Sequence, residues 1–160
     1  MIRKADMSDL AEVMRIYGAA KKFMAENGNP TQWQGNYPDS ELVCEDIRNG
    51  NLYVICDEDS SVCVCFGVFL GDDPTYSHID GEWRSDSPYA AIHRVASDGR
   101  IKGAFRHCFE FVSKDYSHIR IETHDDNKIM QRAIENCGFV YCGTIYVENG
   151  TPRRAYEWIK

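Results

Sequence analysis

The sequence predicts an α/β protein, a mixed sheet with helices on both faces. Three observations predict it. Val62, Val64, Phe66, Val68 and Leu70 alternate along one run, with the two-residue period of a strand. Leu10, Val13, Met14 and Tyr17 recur at the spacing of one helix face. The stretch from Tyr89 to Phe139 reads as strand, glycine-punctuated loop, helix, strand and helix, and such alternation builds layered α/β architectures.

Taken in order, Ile2-Arg3-Lys4-Ala5 is a short first strand. Asp6-Met7-Ser8-Asp9 is a helix start with a capping side chain and early acids, and Gly28 ends that helix. A loop rich in turn formers and aromatics follows from Asn29 to Pro38. Ser40 to Arg48 is a second helix with Leu42, Val43 and Ile47 inward, broken by Asn49-Gly50. Leu52 to Cys56 and Val62 to Leu70 form a hairpin around the turn Asp57 to Ser61. Residues 72–88 are irregular and anchored by Tyr76, Ile79 and Trp83. Tyr89 to Ala96 is the fourth strand, and Phe105, Phe109 and Val112 continue at helical spacing after the loop from Ser97 to Ala104. Ile119, Ile121 and Thr123 mark the fifth strand. A helix starting near Asn127 has Met130, Ala133, Ile134 and Cys137 as its apolar side, with Gly138 at the left-handed position after it. Phe139 to Val147 and Arg153 to Ile159 are the last two strands, joined by the hairpin turn Asn149-Gly150.

At 160 residues the chain is read as a single domain, long enough to bury a core without staples. Its net charge of −7 disfavours general binding to nucleic acid. No apolar run approaches the ~20 residues that span a bilayer. The N-terminus lacks the apolar segment of a signal peptide, so a cytoplasmic protein is expected. The seven cysteines are odd in number and lack zinc-ligand spacing, so they are read as reduced structural thiols, with no metal site. A thiol-redox or metal protein therefore ranks low. A dinucleotide-binding dehydrogenase ranks lower, because its glycine fingerprint belongs after the first strand.

The loop Ser97-Asp98-Gly99-Arg100-Ile101-Lys102-Gly103-Ala104 carries the strongest chemical signal. A glycine-rich turn leading into a helix can aim several backbone N–H groups at one anion, with a favourable helix dipole behind them. That arrangement suits a pyrophosphate.

The element order and these residues together resemble the GNAT (GCN5-related) N-acetyltransferase superfamily over nearly the whole length. The family's cofactor loop has Arg or Gln, two residues, Gly, one residue, then Gly or Ala. Here it reads Arg100-Ile101-Lys102-Gly103-Ala104-Phe105, so Arg100 and Gly103 match and Phe105 departs. A bulky Phe105 either points into the core, leaving the backbone free, or tightens the phosphate site. Ile121, Thr123, Asn127, Gly138 and Phe139 fit the family's second strand-helix segment. The tyrosine often found four residues before that Gly, commonly the general acid, is replaced by Ile134.

The resemblance implies a GNAT-like fold with a mixed, mostly antiparallel central sheet of six to seven strands and helices on both faces. It implies acetyl transfer from acetyl-CoA, as cosubstrate, to a primary amine by direct attack. The alternative is a non-catalytic module of the same fold that binds CoA or another small ligand. In the family the pyrophosphate meets the loop amides, here Arg100 to Phe105, and the pantetheine arm pairs with the fourth strand, here Val95 and Ala96; Asn127 completes the set. Candidate catalytic residues are His93, Glu122 and His124 as base and Tyr141 as thiolate proton donor, with Glu82 and Tyr146 behind them. Gln32, Trp33 and Tyr37 are candidate walls of the acceptor site, where an aromatic face favours a cationic amine; the alternative for Trp33 is a plug at the end of the core. Homodimers are common in the family, often through the last strands, and Tyr146, Val147, Tyr156 and Trp158 suit such an interface or the core.

Overall fold

The computed structural model describes residues 1–160 as an eight-stranded, mostly antiparallel open sheet with four α-helices. The elements are β1 (Ile2–Lys4), α1 (Leu10–Glu26), α2 (Ser40–Arg48), β2 (Leu52–Cys56), β3 (Val62–Leu70), β4 (Asp80–Gly81), β5 (Ala90–Ser97), α3 (Ala104–Val112), β6 (His118–Thr123), α4 (Lys128–Asn136), β7 (Val140–Tyr146) and β8 (Pro152–Ile159). The chain divides into two compact units, residues 1–68 with 93–104, and residues 69–92 with 105–160.

In the first unit β2 pairs antiparallel with β1 and β3, with Val54 opposite both Arg3 and Cys65. Val13, Ile16, Tyr17 and Ala20 of α1 and Val43 and Ile47 of α2 bury against Leu52, Val54, Val62 and Cys65. The spacing predicts one apolar face on β3, but Val62 through Val68 are buried on both faces, and Leu70 is left exposed. Cys63 and Cys65 supply the second face, because a free cysteine packs as a small hydrophobe. Burial pushes the Cys65 thiol up to about 12, so it stays protonated. No helix is long and apolar enough to cross a membrane.

The 3-10 turn Met7–Asp9, which leads into α1, is fixed by a capping box. Asp6 accepts from the Ser8 amide, and Asp9 accepts from the Asp6 amide at 2.9 Å. Arg3 grips both oxygens of the buried Asp9, at 2.7 and 2.9 Å. These hydrogen bonds hold the Asp9 carboxyl below its usual range. A depressed carboxyl contributes stability above its unfolded pKa of ~3.9 and loses it as pH falls through the folded value. Asp9→Asn is expected to cost about 1–2 kcal/mol at neutral pH, discounted because Arg3 is 35% exposed. The gap to wild type should close in urea melts as the pH falls below about 4. A gap that persists in acid would place the loss in packing.

In the second unit Ala90 and Ala91 of β5 pair in parallel with Ile119 and Arg120 of β6, and β6, β8 and β7 continue antiparallel. The two-residue strand β4 lies in the segment read from sequence as irregular, and it pairs with β7. This pairing needs glycine on both sides. A Cβ on Gly143 (φ +147°) would lie 2.3 Å from the Asp80 carbonyl oxygen, and one on Gly81 (φ +142°) 2.2 Å from that of Cys142. Gly143→Ala must therefore push the strands apart, at an expected cost of about 1–3 kcal/mol in unfolding free energy. A melting temperature equal to wild type would contradict the close backbone approach. Tyr76, with Ile79 and Trp83 packed about it, anchors residues 72–88 through a core shared with Ala91, Ile145 and Ala155. Phe109 of α3 packs edge-on to Phe139 and Trp158, at 5.4 and 5.0 Å between centroids. Tyr156 is wholly buried, whereas Tyr146 is exposed.

Candidate functional site

In the first unit, residues 97–104 form a braced turn. The Gly99 amide donates to Ser97 Oγ and the Arg100 amide to Asp98 Oδ1. The Arg100 guanidinium donates to Asp98 Oδ2 from Nε and Nη2 (2.9 and 2.7 Å), to Asp57 Oδ2 (2.8 Å) and to the Val62 carbonyl (2.9 Å). Arg15 adds a bond to Asp98 Oδ2 at 3.2 Å. Burial opposes ionisation of Asp98, yet the hydrogen bonds from Arg100 and Arg15 hold its carboxyl below the usual range. Arg100, the residue that matches the family loop, thus binds the turn to β3 and to the turn before it.

The amides of Ile101, Lys102 and Gly103 take no part in the side-chain turns that tie down Gly99 and Arg100. Gly103 has φ +65°, and a Cβ there would meet nothing within 4 Å. Space is therefore open at Gly103 on the side where a Cβ would stand. Lys102 is exposed, Ile101 and Ala104 are partly buried, and α3 begins at Ala104. Phe105 is buried in the second unit, its ring 6.0 Å from that of Phe139. Of the two alternatives the sequence leaves open for Phe105, the ring takes the core.

The aromatic loop before α2 is tied to β5. Trp33 stands edge-on between Tyr17 and Tyr37, at 5.6 and 6.3 Å. Tyr37 accepts from Arg94 Nη1 at 3.2 Å, and Arg94 Nε and Nη2 donate to Asp46 Oδ2 at 3.0 and 2.6 Å. Tyr17 donates to the Arg94 carbonyl at 3.2 Å. Arg94 has φ +52°, a left-handed backbone inside a strand, which costs free energy and persists only where surrounding contacts enforce it. Burial pushes the Asp46 carboxyl up, and the adjacent guanidinium pulls it back; His93, partly buried, also couples to that charge. Gln32 Oε1 accepts from the Asn29 side chain at 2.8 Å. Val95 is partly buried and Ala96 buried.

Sequence reasoning missed Tyr17, Asp46 and Arg94 as supports of this wall. The signal was present in two places. Asp46 is an acid next to inward-facing Ile47 and three residues from Val43, and Arg94 is a cation in a mostly apolar strand.

The remaining candidates lie in the second unit. Glu122 accepts a hydrogen bond from the hydroxyl of Tyr76. Burial, with the Glu122 charge adding to it, pushes the Tyr76 hydroxyl up. Nδ1 of His124 accepts the Asp126 amide at 3.0 Å, while burial and Arg153 push the imidazole down. Asn127 caps α4, its Oδ1 accepting from the Met130 amide at 3.1 Å, and its own amide donates to the His124 carbonyl. Tyr141 is 45% exposed, with the Arg154 guanidinium 4.2 Å above its ring. Tyr146 donates to Asp80 Oδ2 at 2.6 Å, and Glu82 is exposed. Ile134, in place of the family tyrosine, is wholly buried.

No protein-family model and no curated protein matches the chain. Solved structures do. A GNAT-family acetyltransferase from Streptococcus agalactiae 2603 is 27% identical, with a TM-score of 0.88, covering 100% of this chain and 95% of that one. A GNAT-family acetyltransferase from Listeria monocytogenes 4b F2365 is 14% identical, with a TM-score of 0.73 and coverage of 100% and 94%. An agmatine N-acetyltransferase is 12% identical, with a TM-score of 0.68 and coverage of 100% and 99%. The last two likenesses concern the fold alone.

Proposed function

Because the chain belongs to the GNAT superfamily, we propose that it transfers an acetyl group from acetyl-CoA to a primary amine. The observation that carries this reading is the open, left-handed backbone at Gly103 within a turn that Arg100 braces. On this reading the amides from Ile101 to Ala104 hold the pyrophosphate. The backbone of Val95 and Ala96 pairs with the pantetheine arm, and an N–H there stabilises charge on the thioester oxygen. Acetyl-CoA supplies the activated acyl group.

The amine must lose a proton to attack. His93, on the fourth strand, is a candidate base because its intrinsic pKa of ~6.5 suits proton transfer near neutrality, with Glu122 and His124 as the other two. Tyr141, with its exposed ring, remains the candidate donor to the thiolate. Gln32, Trp33 and Tyr37 wall the acceptor. The π faces of Trp33 and Tyr37 and the net charge of −7 favour a cationic amine.

A second reading, a CoA-binding module without turnover, is favoured by Ile134 in the position of the family's general acid. Calorimetric titration with acetyl-CoA, followed by release of free thiol across an amine library, tests both. Binding with amine-dependent thiol supports the transferase. Binding without thiol from any amine favours the module, and absence of binding overturns both.

A further inference from the structure

We propose that Ser87, His118 and Glu157 form a second centre, one that hydrolyses a small carboxylic ester through an acyl-serine. It lies within the second unit and does not rest on the acetyl-transfer reading. Ser87 Oγ lies 2.9 Å from Nδ1 of His118, and Nε2 of His118 lies 2.7 Å from Glu157 Oε2. A nucleophile within hydrogen-bond reach of a base, itself oriented by a third group, is the arrangement that activates a serine.

The third group is firmly held. Glu157 is wholly buried and also accepts from Arg120 Nε at 3.0 Å and the Arg84 amide at 2.8 Å. Arg120 is buried too, its guanidinium between the rings of Trp83 (4.0 Å) and Tyr89 (4.2 Å) and bonded to the Ser85 carbonyl at 2.7 Å. The carboxylate can only accept, so the neutral His118 tautomer carries its proton on Nε2 and offers Nδ1 as the acceptor. Nδ1 then takes the Ser87 hydroxyl proton, although the Ser87 carbonyl also lies within 3.0 Å. Ser85 Oγ donates to Ser87 Oγ at 2.9 Å, completing the orientation of the hydroxyl.

The buried pair His118 and Glu157 ends at an exposed serine. Adjoining it through Pro88 and His118 is an open hollow of about 310 Å³, lined by Leu70 and Pro88, by the hydroxyl residues Tyr89, Tyr116 and Ser117, and by Asp115. It gives room for the acyl part of a small ester, and Asp115 disfavours an acyl group that carries a negative charge of its own.

In the first step Ser87 Oγ attacks the ester carbonyl carbon while its proton passes to Nδ1 of His118. The C–O bond to the alcohol then breaks, and the departing oxygen takes that proton. Water next attacks the acyl-serine and gives a proton to Nδ1, and Ser87 Oγ recovers it as the carboxylic acid leaves.

The test uses the whole chain without acetyl-CoA, treated with a fluorophosphonate and, separately, with p-nitrophenyl acetate. The expected result is a phosphonyl adduct on Ser87, formed with loss of fluoride and located by peptide mass spectrometry. Ser87→Ala, at an exposed position, should keep its fold, lose the adduct and lose ester hydrolysis by about 10²-fold. His118→Gln should lose the adduct with Ser87 still present. Acetyl transfer by Ser87→Ala should match wild type, which separates this centre from the proposed transferase. No adduct on Ser87 in folded wild type, or unchanged hydrolysis by Ser87→Ala, overturns the proposal and leaves the cluster as a clamp on residues 83–89.

Discussion

Asp46→Ala is expected to lower the unfolding free energy by about 3–5 kcal/mol, the range for removing one partner of a buried ion pair. Asp46 and Arg94 side chains are 5% and 12% exposed, so water screens little of their attraction. Without the carboxylate, a buried guanidinium loses the acceptor of two of its hydrogen bonds. The strained backbone at Arg94, φ +52°, loses a contact that holds it. Replacing both partners, as Asp46→Ala with Arg94→Met, should recover much of the loss, because no buried charge remains. Urea unfolding followed by tryptophan fluorescence measures both variants. A loss below about 1 kcal/mol for Asp46→Ala would mean that the pair behaves as a surface salt bridge. Arg94 also holds Tyr37, so wherever Asp46→Ala remains folded the amine KM should rise more than kcat falls.

What could be read from the sequence was local. α2 spans the residues that the 3.6-residue period of Leu42, Val43 and Ile47 and the break at Asn49-Gly50 mark out, because each signal lies close to the residues it controls; the cap by Asp39 is seen only in the structure. β2 and β3 were legible for a similar reason, a short apolar run and an alternating one joined by a turn of acids and serines. β4 was not, since two residues carry no period, and its pairing depends on glycines 62 positions apart. Gln131 was passed over on the apolar side of α4. It is buried because its amide reaches the His124 and Asp125 carbonyls. The candidate site divides in the same way. The loop around Gly103 announces itself by its residue pattern, but the partners of Arg100 at Asp57 and of Arg94 at Asp46 are 43 and 48 residues away. A motif gives a residue its position and leaves its partner unspecified. That is why Arg100 can be placed in the loop from the sequence, while its bonds to Asp57 and to the Val62 carbonyl could not.

Gly103→Asp is expected to abolish acetyl-CoA binding while leaving the protein folded. The two halves of that expectation have separate causes. A Cβ at Gly103 meets no atom within 4 Å, so the side chain adds no clash, and the cost to the fold is the left-handed φ of +65°, roughly 1 kcal/mol for a residue other than glycine. The carboxylate, however, would project into the space where a pyrophosphate approaches the amides. Two like charges about 5 Å apart at an effective dielectric of about 20 repel by about 3 kcal/mol, more than a hundredfold in Kd. Gly103→Asn separates charge from shape. Asparagine tolerates the left-handed region and is nearly isosteric with aspartate, so it should weaken binding by less, and the gap between the two variants should shrink at high salt. Calorimetry at low and high ionic strength reads all three proteins. If aspartate and asparagine both bind acetyl-CoA like wild type, the phosphate site is not this loop, and the open backbone at Gly103 serves something else.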